Sequence, residues 1–166
     1  MKTILTLLIS LLFASTVFGA SRYDVARWHR VVGVITALNV DNPVADIHAG
    51  TFPWSAQSGR AHVNLSTGAT SFEVEGLVII GTPFSGTPGP VTAVTGTLVC
   101  NAGEDTEVVL DTDKVPLSET GDAKFSGYIA NIPSPCANPI FLIRIAVPEG
   151  AAGRWIATGA DRSTGH

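Results

Sequence analysis

Hydrophobic and polar residues alternate along short segments of this chain, which is typical of β-strands with one buried face. The clearest example lies around Phe72 and Val74, where Glu73 and Glu75 occupy the intervening positions. Beyond residue 20, no segment keeps the 3.6-residue period of an amphipathic helix over the usual length of a helix. The pattern therefore predicts a chain built from strands and turns.

Eight segments of strand length are separated by turns rich in Gly, Pro, Asn and Asp. Thr67-Gly68 predicts a hairpin between the second and third of them, and the prolines and glycines of residues 82–90 predict a loop. Residues 140–147 are almost wholly apolar, which predicts a central strand covered on both faces. The predicted strands are residues 30–39, 60–66, 70–80, 91–100, 106–113, 123–130, 140–147 and 154–157.

Short, regularly spaced strands without crossover helices favour an antiparallel fold over parallel βαβ units. We expect an all-β antiparallel β-sandwich of immunoglobulin-like architecture with about seven to eight strands, and a small closed β-barrel is the alternative. One domain is expected to span residues 20–166, with a frayed polar tail from Asp161 to His166. The predicted core comprises Phe72, Val74, Leu98, Val108, Leu110, Phe125, Ile129, Phe141, Ile143 and Ile145.

Residues 1–19 have the layout of a secretory signal peptide. Lys2 gives a positive start, residues 4–18 are an almost unbroken apolar run, and Val17 and Gly19 are small residues preceding a cleavage site. The apolar run is shorter than the roughly 20 residues that a membrane-spanning helix needs, and an uncleaved anchor is the alternative. We expect a secreted protein, extracellular or periplasmic, with no membrane span after cleavage.

The low charge content and the negative net charge of the chain argue against some classes of binding partner. Charged residues make up 14% of the chain and the formal net charge is −4, whereas charged residues make up about 25% of an average domain. Binding to nucleic acid is driven by neutralisation of phosphates, so a mildly acidic chain has no field that attracts it. An anionic membrane surface would also repel this chain. We expect an extracellular partner or a glycan, and no nucleic acid.

The two cysteines, Cys100 and Cys136, are an even number in a chain expected to reach an oxidising compartment. They predict one structural disulfide. In the chain-entropy model, closing this loop would stabilise the fold by roughly 3–4 kcal/mol. Neither cysteine has a second ligand at the short spacing of zinc sites, and no Cys-x-x-Cys redox motif is present.

Three residues could form a metal site. Asp46 and His48 share one face if their segment is extended, and His62 lies on a later predicted strand. Two imidazole nitrogens and one carboxylate oxygen would suit a divalent metal. The spacing matches no dedicated motif, so we expect both histidines to be polar residues on the solvent face of a sheet, with no cofactor. The metal site is the alternative.

Two further residues are candidates for binding a ligand or carrying a glycan. Trp54 lies in the Gly- and Ser-containing segment 50–59, where it either stacks on a sugar ring or folds back to cap one end of the sandwich. Asn64-Leu65-Ser66 is a glycosylation sequon, which would place Asn64 on the surface if the source organism glycosylates exported chains.

Six segments, in this order along the chain, resemble small exported bacterial proteins that have no known activity. They span roughly residues 50 to 160. The resemblance implies that Cys100 and Cys136 pair, and it implies no activity. The segments are Pro53-Trp54, Phe72-Glu73-Val74-Glu75-Gly76-Leu77-Val78, Thr97-Leu98-Val99-Cys100, Val115-Pro116-Leu117, Pro135-Cys136-Ala137-Asn138-Pro139 and Arg154-Trp155-Ile156-Ala157.

Motifs for catalysis are missing from the sequence. No Gly-x-Ser-x-Gly elbow surrounds Ser85, and Glu73 and Glu75 share one face of one strand instead of facing each other across a cleft. We therefore expect no catalytic residues and no enzymatic activity. The sequence predicts a secreted binding or structural module, extracellular or attached to the cell envelope. The alternatives are a metal-dependent protein built on Asp46, His48 and His62, and a carbohydrate-binding module that uses Trp54.

Overall fold

The structure, a computed structural model, describes residues 24–36, 40–147 and 152–165. Those residues form eleven β-strands and no α-helix, and every strand pair is antiparallel. The predicted all-β antiparallel fold is confirmed. The strands are β1 (Val25–Gly33), β2 (Trp54–Ser55), β3 (Ser58–Asn64), β4 (Ala69–Glu75), β5 (Val78–Ile79), β6 (Ala93–Cys100), β7 (Val108–Asp111), β8 (Val115–Pro116), β9 (Ala123–Tyr128), β10 (Ile140–Ala146) and β11 (Ala152–Gly165).

Nine of these strands form one sheet. Eight follow the order β7-β6-β10-β11-β1-β3-β4-β9, and β8 pairs with the beginning of β6. The other two strands, β2 and β5, form a separate ribbon. The sheet curls until β8, beside β6 near one end, contacts β9 at the other end. The main sheet is thus a curled half-barrel, consistent with both the sandwich and the barrel expectation.

Aromatic side chains fill the inside of the curl. The ring of Phe141 lies 5.5 Å from the ring of Trp28 and 5.6 Å from that of Phe72, centroid to centroid. Phe72 stacks on Phe125 at 5.7 Å. Gly96 of β6 leaves room for this cluster, because a Cβ atom there would lie 2.8 Å from both Phe141 and Phe72. Edge-to-face and offset aromatic pairs of this kind add to the stability that burial already supplies.

Most of the predicted core is confirmed. Seven of its residues are buried, and the remaining three, Val108, Leu110 and Ile145, are half-buried and pack against the cluster. Those three lie on β7 and on the later half of β10. The buried seven are Phe72, Val74, Leu98, Phe125, Ile129, Phe141 and Ile143.

Strand β10 is central and covered on both faces, as predicted. Phe141, Leu142 and Ile143 are consecutive, and each is fully buried. Arg144 follows at a point where the register between β10 and β11 shifts. Its guanidinium donates hydrogen bonds to the carbonyl oxygens of Gly153, at 2.7 Å, and Ala152. A charged residue is therefore accommodated in this apolar strand because it satisfies backbone acceptors at the irregularity.

The first and the last strand of the chain have different bounds from those predicted. The strand predicted at residues 30–39 is β1, which begins at Val25 and ends at Gly33. The strand predicted at residues 154–157 is β11, which runs from Ala152 to Gly165. Asp161 to Gly165 are not frayed, because this segment pairs with the beginning of β1. His166 lies outside the described residues.

Two predictions about connections are confirmed. Gly68 has a φ of 78° in the hairpin between β3 and β4, a conformation that glycine adopts without strain. Cys100 and Cys136 form a disulfide, with Cα atoms 4.9 Å apart. Asn101 reinforces it, because its backbone N–H donates to Ala137 and its side-chain oxygen accepts from the Ala137 N–H.

The predicted signal peptide, residues 1–19, lies outside the described residues and stays a prediction. No helix in the described part of the chain is long and apolar enough to span a membrane.

Candidate functional site

The segment that carries Asp46 is a tight hairpin, not an extended strand. Val44 and Ile47 exchange both backbone hydrogen bonds, at 3.1 and 2.9 Å. Between them Ala45 and Asp46 have φ values of 53° and 58°, as the two central residues of a type I′ turn require. The expected alignment of Asp46 with His48 on one face of a strand is therefore wrong.

His48 has a different acidic partner. Its Nδ1 contacts the Oδ2 of Asp41, and both side chains are exposed. The hydrogen bond from His48 lowers the pKa of Asp41, despite an opposing effect of desolvation. The pair connects residues that flank the hairpin containing Asp46.

His62 lies on β3, opposite Arg27 of β1 and Ser71 of β4. Within residues 24–36, 40–147 and 152–165, no group of three His, Cys, Asp or Glu side chains is placed to hold a metal ion. Asp46, His48 and His62 belong to those residues and form no such group. The metal-site alternative is corrected on this ground: one residue lies in a turn, one is paired with Asp41, and one lies on a strand.

Trp54 is buried, with 2% of its surface exposed. It belongs to β2, pairs with Ile79 of β5, and donates its backbone N–H to Val34 at 2.7 Å. A side chain covered in this way cannot stack on a sugar ring, so the carbohydrate-binding alternative that uses Trp54 is wrong. The other interpretation, in which the ring folds back onto the domain, agrees with its burial.

Asn64 is the last residue of β3 and stabilises the turn that follows. Its side-chain oxygen accepts hydrogen bonds from the N–H of Ser66 at 3.1 Å, the hydroxyl of Ser66 at 2.8 Å and the N–H of Thr67 at 2.9 Å. This is an Asx-type turn. The residue is half-buried, and its glycosylation stays a prediction.

A recess lies over the solvent-facing side of β1, β3, β4 and β9. It encloses about 580 Å³. Alternation along each strand turns Trp28, Ala61, Phe72 and Phe125 inward, where they are buried. Their neighbours point outward, and we call this surface the basic face. It consists of Arg27, His29, Arg60, His62, Ser71, Glu73, Lys124 and Ser126.

Strand register arranges these side chains in two rows across the sheet. In the first row, His62 lies opposite Arg27 on one side and Ser71 on the other, and Ser71 lies opposite Ser126. Side chains directly opposite each other on neighbouring strands have Cβ atoms about 5 Å apart. The row therefore forms a continuous track of hydrogen-bonding groups over four strands.

In the second row, one carboxylate lies between two cations. Glu73 lies opposite both Arg60 and Lys124. Its two oxygens are 2.7 Å from Arg60 Nη2 and 4.0 Å from Lys124 Nζ. One carboxylate thus serves two cations, and the basic face has three permanent positive charges against one negative charge. The excess is positive in a chain whose net charge is −4.

Two histidines extend this positive surface. Burial lowers the pKa of His62, and the nearby charge of Arg27 lowers it further. His29 contacts the hydroxyl of Ser163 on β11 through Nε2 at 2.8 Å. Both imidazoles can donate hydrogen bonds to an anion, and protonation of His62 would add positive charge to a face that already has an excess.

A smaller recess of about 290 Å³ lies beside the first row, along β4 and β9. It shares His62, Ser71 and Ser126 with the larger recess and adds Tyr128 at its edge. Tyr128 is 73% exposed, the largest exposed fraction among the large hydrophobic residues of the described chain. An aromatic ring is therefore accessible next to the polar track.

Sequence reasoning missed the basic face. The sequence predicts His62 as a polar residue on the solvent face of a sheet, or alternatively as a metal ligand, and Glu73 as one of two carboxylates on the same face of a strand. A usable signal was present, because Arg27 and His29 alternate with buried residues, as do Arg60 and His62. That signal becomes a site only after the strands are paired in register.

Comparison with protein-family models, curated proteins and solved structures finds no match to this chain. The resemblance to small exported bacterial proteins stays a prediction.

Proposed function

We propose that this protein is an exported, non-catalytic β-domain that binds an anionic ligand on its basic face. The observation that carries the proposal is the recess over β1, β3, β4 and β9, with its excess of positive charge. Arg27 is the central group, because Glu73 is engaged by Arg60 and Lys124. A guanidinium can hold a carboxylate, phosphate or sulfate through two parallel hydrogen bonds.

The chemistry of this face favours binding over catalysis. Hydrolysis of a glycosidic bond by paired acids needs two carboxyl groups flanking the bond. The lining of the recess includes one carboxylate, Glu73, which is already paired with cations. The guanidinium, ammonium and imidazole groups around it are donors that hold an anion in place. Export, which the first nineteen residues predict, would expose this face to extracellular or periplasmic ligands.

The proposal is tested by neutralising the face. We expect the double variant Arg27→Gln/Arg60→Gln to lose about tenfold or more in affinity for a soluble polyanion, because it removes the charge-assisted hydrogen bonds of Arg27 and leaves Glu73 without its Arg60 partner, so that its negative charge repels the ligand. Calorimetry at several salt concentrations measures the loss. Lys114→Gln/Arg154→Gln is the matched control, since it removes the same charge from exposed positions outside the basic face. Equal affinity of the two double variants, or no binding by the wild type, would contradict the proposal.

A further inference from the structure

We infer that the anion is a segment of an acidic polysaccharide, a chain of uronic acid sugars that lies across β1, β3, β4 and β9. This inference rests on the proposed function and specifies its ligand. It follows from the length, the chemical order and the charge of the track that begins at Arg27 and ends at Tyr128.

The track is longer than a single anion. It crosses three gaps between neighbouring strands, from Arg27 on β1 to Ser126 on β9. At a strand spacing of about 4.8 Å, three gaps span about 14 Å. At Ser126 the track turns along β9 and reaches Tyr128, two residues further on the same strand, beside the smaller recess. A compact carboxylate or phosphate would occupy only the part near Arg27, and the rest of the track would bind nothing.

The order of chemical groups along the track suits a sugar chain. Arg27 and His62 come first, and they can bind a carboxylate. Ser71 and Ser126 follow, whose hydroxyls both donate and accept hydrogen bonds, as sugar hydroxyls do. The exposed ring of Tyr128 ends the track, where the apolar face of a sugar ring can pack on it. A uronic acid polymer presents these three features repeatedly.

Net charge separates this ligand from denser polyanions. Nucleic acids bind through many phosphate contacts that release counterions. The basic face offers three permanent cations, one of which, Arg60, contacts Glu73 at 2.7 Å. The chain as a whole carries a net charge of −4. Such a surface favours a chain with one charge per sugar and many hydroxyls over a nucleic acid or an anionic bilayer.

The test compares ligand lengths on the mature, unreduced protein. Galacturonic acid, its trimer and its hexamer are titrated by calorimetry or NMR at fixed pH and salt. We expect affinity to rise from the monomer to the hexamer, since only the longer chain reaches Ser126 and Tyr128. A neutral hexasaccharide, single-stranded DNA and vesicles containing anionic lipid are the comparison ligands, and each is expected to bind more weakly than the uronide hexamer.

Variants at the two ends of the track sharpen the test. Arg27→Gln should weaken binding of the monomer and the hexamer alike. Tyr128→Ala should weaken hexamer binding by about fivefold, because packing a sugar on an aromatic ring contributes about 1 kcal/mol to the binding free energy. Monomer binding should be unchanged, because the monomer binds near Arg27. Val109→Ala, an exposed apolar position on β7, is the matched control and should change neither.

Each outcome has a distinct meaning. Equal affinity for the monomer and the hexamer would overturn the inference while supporting the proposed function, because the face would then hold one compact anion. Tighter binding of DNA or of anionic vesicles would overturn the inference in the same way. If no anion binds, both fail. Length-dependent binding that Tyr128→Ala reduces would establish the acidic polysaccharide as the ligand.

Discussion

Strands β10 and β9 bury their side chains in different ways. Phe141, Leu142 and Ile143 are consecutive on β10 and fully buried, whereas on β9 the buried Phe125 is flanked by the exposed Lys124 and Ser126. Both strands belong to the same curled sheet. The difference shows that one part of the sheet is covered on both faces, while the other has a face turned to solvent. The basic face lies on the second part.

Alanine scanning of neighbouring residues tests this difference and should give the largest effects. Phe141→Ala and Leu142→Ala should lower the free energy of unfolding by about 3–5 and 2–5 kcal/mol, because each leaves a cavity. On β9, Phe125→Ala should cost about 3–5 kcal/mol, while Ser126→Ala should stay within about 0.5 kcal/mol. Urea denaturation measures all four. A large loss in Ser126→Ala, or a negligible one in Leu142→Ala, would contradict the contrast.

Removing the disulfide should lower stability by an intermediate amount without affecting the basic face. Cys100→Ala/Cys136→Ala should lower the free energy of unfolding by roughly 3–4 kcal/mol, because the unfolded chain regains the entropy of an open loop. Neither cysteine belongs to β1, β3, β4 or β9, so affinity for the acidic ligand should be unchanged while the variant stays folded. Chemical denaturation measures the loss of stability. Calorimetry at low temperature, where the variant is still folded, measures the affinity for the acidic ligand. A loss of affinity in the folded variant would mean that the two regions are coupled.

Acid should act on His62 with a small, measurable effect on stability. The folded protein holds the pKa of His62 below its usual 6.5, so near and below that value the unfolded chain binds more protons. His62 therefore contributes stability at higher pH, and this contribution decreases as the pH falls through the unfolded and then the folded pKa. In His62→Gln, the free energy of unfolding should depend less on pH between about 7 and 5. An identical pH dependence in both proteins would refute this.

The same titration should strengthen ligand binding. His62 lies opposite Arg27 and lines the same recess as Arg60, Lys124 and the carboxylate of Glu73. A bound carboxylate would offset the repulsion between protonated His62 and the three cations. Affinity for the uronide hexamer should rise roughly two- to fivefold on acidification, the scale of one partly exposed charge pair. His62→Gln should remove most of this rise. Calorimetry at matched ionic strength separates the effect from changes in stability.

The sequence revealed those strands whose side chains carry an unambiguous burial pattern. The apolar run of residues 140–147 predicts β10 correctly, because its burial can be recognised without knowing which strands lie beside it. The polar residues from Asp161 to Gly165 predict a frayed tail, yet their backbone pairs with β1. When the side chains of a strand face solvent and only backbone hydrogen bonds hold it in the sheet, the pattern of hydrophobic residues does not predict it.

Local conformation accounts for another error. The Ala45-Asp46 turn has two residues with positive φ, a geometry in which Asn-Gly or Asp-Gly is the usual signal. Alanine at the first position hides such a turn from sequence rules. The sequence therefore predicts Asp46 and His48 on one face of an extended segment, which the structure does not have. The basic face could not be found from sequence because Arg27, His62 and Ser126 come together only through pairing between distant strands.

The place of β1 in the sheet has a consequence for biosynthesis. This early strand lies between β3 and β11, and Val25 pairs with Gly165. The sheet therefore cannot close around β1 until residues near 165 have left the ribosome, and contacts of such long sequence separation form slowly. If the first nineteen residues direct export as predicted, the nascent polypeptide would still be unfolded when it passes through a translocation channel. It would then fold after translocation across the membrane.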